Sequence, residues 1–186
     1  MNAFLISTLT IAAAEIGDKT QFLAIALSTR YQRPAVIILG ILIATLANHL
    51  VAALLGVWLS RHIHAQAMHL ILAASYFIAA IWVWIPDNPP TEKQMAIKNT
   101  YLLLTVILTF FLAEIGDKTQ IATAILAANY HHLIPVVLGT TTGMMLANIP
   151  AVFVGQKIAS YLPMKVMHGI AAGIFFLLGL KELFQY

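Results

Sequence analysis

Cysteine is absent from this chain. That excludes disulfides and thiolate metal sites alike. Charge is scarce as well: charged residues make up 9% of the sequence and hydrophobic ones 61%, against about a quarter charged in a soluble domain. In 186 residues there is room for one compact bundle and no separate soluble domain. The formal net charge is only +3, and the basic residues stand in loops rather than in a patch, so no nucleic-acid partner is expected. Nothing calls for a bound cofactor. What is left is the composition of an integral membrane protein, with the lipid bilayer as its surroundings.

Apolar runs dominate what is present. Six segments are long enough to cross a bilayer, which takes about 20 residues: Ala3–Ser28, Ala35–Leu59, Ala67–Ile85, Tyr101–Ala128, Leu133–Ile158 and Val166–Phe184. They lack the alternation of barrel strands, so helices are expected. No basic residue precedes the first run, and it continues past Ala12-Ala13-Ala14 to Leu27. A first spanning helix is therefore expected rather than a signal peptide.

Seven residues occur twice, Glu-Ile-Gly-Asp-Lys-Thr-Gln, at Glu15–Gln21 and Glu114–Gln120. The repeat extends further. Leu39-Gly40 matches Leu138-Gly139, Gly56 matches Gly155, Ala73 and Phe77 match Ala172 and Phe176, and Ala47-Asn48 matches Ala147-Asn148 with a one-residue slip. The expected fold class is thus an all-α membrane protein with six transmembrane helices in two three-helix repeats, residues 1–86 and 100–186. Residues 87–99 form a linker between them. Three crossings per unit is odd, so the second unit enters from the opposite side and the repeat is inverted, a plan of secondary transporters. Lys and Arg in the loops set the orientation. Arg30, Arg33, Lys93, Lys98, Lys157 and Lys165 lie on one side, Arg61 and Lys181 on the other. That puts the linker in the cytoplasm and both termini outside.

The two motifs hold four of the seven carboxylates in the chain. An acid at membrane depth is expensive and is generally there for function. Positions three apart share a helix face, so Glu15, Asp18 and Gln21 are expected to form one oxygen-bearing stripe, and Glu114, Asp117 and Gln120 its image. Asn48 and Asn148, mid-span, would complete the shell. Thr20 and Thr119 point elsewhere on an ideal helix. Oxygen ligands without imidazole or thiolate select hard cations such as Mg²⁺, Ca²⁺ and Mn²⁺. Four carboxylates with Lys19 and Lys118 sum to −2, which one divalent cation or two protons would neutralise. Glu15, Asp18, Glu114 and Asp117 would then carry metal and protons alternately. The lysines would balance charge, act as a gate, or form structural pairs Glu15–Lys19 and Glu114–Lys118 at i,i+4 spacing. His49 is expected to pack or play a secondary part. His62, His64, His69, His131 and His132 are expected to be solvated near one membrane surface. Gly139/Gly143 and Gly169/Gly173 fit close helix packing.

Two copies of Glu-x-Gly-Asp-Lys-Thr, one in each half, resemble the signature of the Golgi-type manganese/calcium cation–proton antiporter family. In size and layout the chain is similar to that family's bacterial manganese-exporter branch. The resemblance implies export of Mn²⁺, with Ca²⁺ as the other candidate, against protons and by alternating access in a bacterial-type inner membrane. It implies that the four motif acids carry ion binding and that the protein is not an enzyme. A divalent-cation channel is the alternative. A homo-oligomer is compatible with the sequence.

Overall fold

Two of the expected spans do not run as single helices. In the computed structural model, which describes residues 2–85, 101–154 and 164–184, the first is split into α1 (Asn2–Glu15) and α2 (Lys19–Tyr31). The fourth is split the same way into α5 (Leu102–Glu114) and α6 (Lys118–Tyr130). The other helices are α3 (Pro34–His62), α4 (Ala65–Trp82), α7 (Leu133–Val154) and α8 (Met164–Phe184). The described residues are thus all-α, with no strand. The 29-residue α3 and residues Leu133–Phe153 of α7 are each long and apolar enough to cross a membrane unbroken. The linker 87–99, Gly155, Lys157 and the end of the fifth expected span lie outside the described residues, as do Lys93 and Lys98.

Both breaks have one cause. Gly17 and Gly116 sit at φ 84° and 73°, left-handed backbone that L-residues with a Cβ resist. After each glycine an aspartate takes extended backbone and starts the next helix: Asp18 at ψ 165° and Asp117 at ψ 157°. The Asp18 N–H donates back to the Glu15 carbonyl at 2.9 Å, and the Asp117 N–H to the Glu114 carbonyl at 3.0 Å. The repeat reaches even to the far ends of the second halves. α2 closes on Gln32 at φ 51° and α6 on His131 at φ 55°, each N–H donating to a carbonyl four residues back at 3.0 Å.

The halves interlock. α1 packs against α7, and α5 against α3. Each crossing is close because a glycine makes room. A Cβ on Gly40 would come within 2.6 Å of Val106, and one on Gly139 within 2.5 Å of the Phe4 carbonyl oxygen. Gly143 lets Thr8 and Ala12 approach in the same way, whereas Gly173 has nothing within 4 Å among the described residues. The expected packing role therefore holds for the Gly139/Gly143 pair, while no described residue packs on Gly173. α4 lies along α8, where the Phe77 ring meets its own repeat image, Phe176, at 5.5 Å between centroids.

Candidate functional site

All four motif acids are buried: Glu15, Asp18 and Glu114 completely, Asp117 to 3% exposure. A charge taken out of water is tolerable only with partners, and much of what each acid receives comes from the opposite half. Lys118 Nζ lies 2.6 Å from Asp18 Oδ1, and Lys19 Nζ lies 2.8 Å from Asp117 Oδ1. Each motif lends its lysine to the other motif's aspartate. The i,i+4 pairing expected within each copy gives way to this exchange, because the glycine break removes the helical register it needs.

The glutamates follow the same rule. Asn148 Nδ2 on α7 donates to Glu15 Oε1 at 3.2 Å, and Asn48 Nδ2 on α3 donates to Glu114 Oε2 at 3.1 Å. The Thr20 hydroxyl also donates to Glu15 Oε1, and Thr45 to Glu114 Oε1 at 2.9 Å. The halves are not equal. Glu15 Oε2 and Asn148 Oδ1 are buried without a hydrogen-bond partner among the described residues. In the other half the Asn48 amide oxygen accepts from Gln120 at 3.3 Å. The Lys19 side chain is 28% exposed, that of Lys118 only 4%.

The chain matches the family described as "Divalent cation/proton antiporter GDT1" over residues 3–90 and 102–186. The chain belongs to this family. Its members are transporters rather than enzymes, and the helical, apolar bundle is that of a membrane protein. The chain is 42% identical to a Vibrio cholerae protein named "Putative manganese exporter", over 99% of this chain and 92% of that one. It is 27% identical to a GDT1-like protein of Synechocystis, over 95% and 94% of the two chains. It is 26% identical to GDT1-like protein 5 of Arabidopsis thaliana, over 91% and 90%. No solved structure matches it.

Within this antiporter the sequence-predicted residues converge, though not as one stripe per helix. Glu15 ends α1, Asp18 stands in the extended turn, and Gln21 lies on α2. The glutamines brace the breaks: Gln21 Oε1 accepts the Gly17 N–H at 2.9 Å, and Gln120 Oε1 the Gly116 N–H at 2.7 Å. Gln21 Nε2 then donates to the Ala147 carbonyl at 3.1 Å. Asp18 and Asp117 occupy N-cap positions without a side-chain cap bond; their carboxylates face lysine instead. Among the described residues no three His, Cys, Asp or Glu side chains stand as a ready metal cluster.

The inward turn of the threonines is not foreseen by helical periodicity. On an unbroken helix Thr20 and Thr119 would face away, but the break turns them inward, and Thr119 donates to Asp117 Oδ2 at 3.1 Å. Their repetition inside both motifs is the signal that could have found them. Thr45 has no such signal, because the matching position on α7 is Met145. His49 is fully buried with neither ring nitrogen bonded among the described residues.

Proposed function

We propose that the chain exports Mn²⁺ in exchange for protons across a bacterial-type inner membrane, by alternating access at a site made from both motifs. The observation that carries this reading is the exchanged pairing of Lys118 with Asp18 and Lys19 with Asp117, at 2.6 and 2.8 Å. Each lysine stands where a cation would, so loading the site means displacing a tethered ammonium from a buried carboxylate. A divalent ion does this better than a monovalent one, because the Coulomb attraction scales with its charge. Glu15 Oε2 and Asn148 Oδ1, two buried oxygens without partners among the described residues, are the first ligands open to it. Asp18, Asp117, Glu114 and Asn48 join as their present bonds are released. Gln21 and Gln120 are reserve ligands, since freeing either oxygen gives up the glycine N–H that shapes its break.

When the cation leaves, the centre keeps four carboxylates against two ammonium groups. Protons on Glu15, Asp18, Glu114 or Asp117 then restore neutrality, and two suffice for one divalent ion. Residues 1–86 and 100–186 act as inverted three-helix repeats joined by a cytoplasmic linker at 87–99, with the termini outside. In this scheme α1–α2 and α5–α6 are each one broken crossing, a construction that lets helix ends and unwound backbone face an ion at mid-membrane. The unequal exposure of the two lysines supports an access path from one side at a time. It also disfavours a channel, which needs an open passage past the acids. Oxygen ligands accept Ca²⁺ as readily as Mn²⁺; the preference for Mn²⁺ rests on the likeness to the Vibrio cholerae protein named for it.

Proteoliposomes with an imposed pH gradient test this. Mn²⁺ uptake should require the gradient and saturate. Asp18→Asn and Asp117→Asn should each abolish it while leaving helix content intact. Gradient-independent Mn²⁺ movement, or normal flux in both variants, would defeat the reading.

A further inference from the structure

The far end of α6 is gripped by two neighbouring residues of α8. Glu182, a carboxylate only 2% exposed, accepts at Oε1 from Asn129 Nδ2. Lys181 Nζ stands over the Tyr130 ring, 5.9 Å from its centroid, and 3.7 Å from Glu182, a cation–π contact beside an ion pair. The other carboxylate oxygen, Oε2, lies 2.8 Å from His69 Nδ1 on α4. One buried acid thus ties α4, α6 and α8 together. A cavity of about 360 Å³ lies beside it, lined also by the end of α3 and the α6–α7 turn.

Packing alone does not call for an acid here. A buried ionic contact is often no more stable than an apolar one in its place, and the other half of the molecule makes that replacement. At the offset that separates the motifs, Glu182 corresponds to Val83 and Asn129 to Arg30. Val83 is buried, at 1% exposure. Near the end of α2 the Ser28 hydroxyl donates instead to the Val152 carbonyl on α7, at 2.5 Å. The carboxylate clamp belongs to one repeat.

The clamped helix is also the one that opens with the second motif. Lys118, Thr119 and Gln120 form its first turn, and no glycine or proline interrupts it before Tyr130, so it moves as one rod. Its middle rests on α3. A Cβ on Gly56 would stand 2.1 Å from the Ala124 carbonyl oxygen, so the two backbones touch there. Ala124 is six positions after Lys118 and five before Asn129, which gives arms of about 9 and 8 Å. A rod held near its midpoint couples its ends: when one swings, the other swings the opposite way.

We propose that α6 is a lever resting on the Gly56–Ala124 contact, and that Glu182 is the positioning residue that holds its far arm and so keeps Lys118 against Asp18 until a cation loads. This rests on the antiport reading, in which loading displaces Lys118 from Asp18. Release of the Asn129–Glu182 bond and departure of Lys118 are then one event, and the cavity beside the clamp gives the freed arm room.

Mn²⁺ binding to the purified full chain tests the lever by sign. Glu182→Ala frees the far arm, so Lys118 leaves Asp18 more easily. Mn²⁺ should bind severalfold more tightly, even though the protein melts lower. Loss of a residue that only held the bundle together would weaken binding. Glu182→Gln keeps an acceptor for Asn129 and should bind Mn²⁺ much as the unaltered protein does. Unchanged or weaker binding in folded Glu182→Ala would overturn the proposal. Hydrogen exchange on the unaltered protein needs no variant to fold. Saturating Mn²⁺ should speed exchange of the Ala127–Tyr130 amides, the last turn of α6; unchanged or slower exchange there would overturn it as well. If the unaltered protein carries no proton-coupled Mn²⁺, the antiport reading and the lever fall together. Normal flux without either change removes the lever alone.

Discussion

Lys118 and Lys19 are equivalent in sequence and unequal in setting. The Lys118 side chain is 4% exposed against a wholly buried Asp18, while Lys19 is 28% exposed. Removing one partner of a buried pair leaves an uncompensated charge, at a cost of about 3–5 kcal/mol. Water reaching Lys19 screens its pair and lowers that cost. Lys118→Met should therefore lower the thermal midpoint in detergent clearly more than Lys19→Met. Adding Asp18→Asn to Lys118→Met should recover much of the loss, a coupling that a double-mutant cycle measures. Equal losses from both lysines would mean that the two pairs are equally buried in solution. The acids themselves were legible in the sequence, because a carboxylate repeated inside an apolar run is too costly to serve packing alone. Their partners were not. An i,i+4 spacing names Lys19 as the neighbour of Glu15 only while the helix continues, and the three residues between α1 and α2 are enough to send it to Asp117.

At the scale of the element, the glycine breaks and the glycine crossings make opposite demands. Among the described residues nothing lies within 4 Å of a Cβ built on Gly116, which sits at φ 73°. Gly116→Ala should cost only the backbone strain, about 1–2 kcal/mol. Gly116→Asn should cost less, since asparagine tolerates left-handed backbone. Gly56 is the reverse case: it is ordinary helix, but a Cβ there would run into the Ala124 backbone carbonyl on α6. Gly56→Ala should separate α3 from α6 and destabilise the fold by about 1–3 kcal/mol, with asparagine no remedy. Thermal unfolding of the three variants distinguishes strain from collision. A hydropathy pattern sees neither distinction, because both residues simply read as small. It finds α3 and α7 correctly, where apolar sequence and unbroken helix coincide. It overruns at Ile16–Asp18 and Ile115–Asp117, where the apolar residues on either side carry the reading across a short polar break.

Across the whole molecule the repeat has a consequence that no single residue carries. Each half supplies two acids and one lysine, so neither half is neutral, and only the assembled bundle has a defined deficit of two charges. If one divalent cation and two protons are alternative loads, each transport cycle moves no net charge. Initial Mn²⁺ flux under a fixed pH gradient should then be unchanged when valinomycin and K⁺ clamp the membrane at positive or negative potential. The pH dependence of binding follows in sign. Protons compete for the carboxylates, so Mn²⁺ affinity falls as the medium is acidified and rises with pH. Where two protons leave per ion bound, the apparent association constant should climb by as much as about a hundredfold per pH unit. Removing one acid, as in Glu114→Gln, should flatten that slope towards about tenfold and make the residual flux sensitive to voltage. A wild-type flux that follows membrane potential, or a binding constant that is flat with pH, would show that the four carboxylates do not act as one two-charge unit.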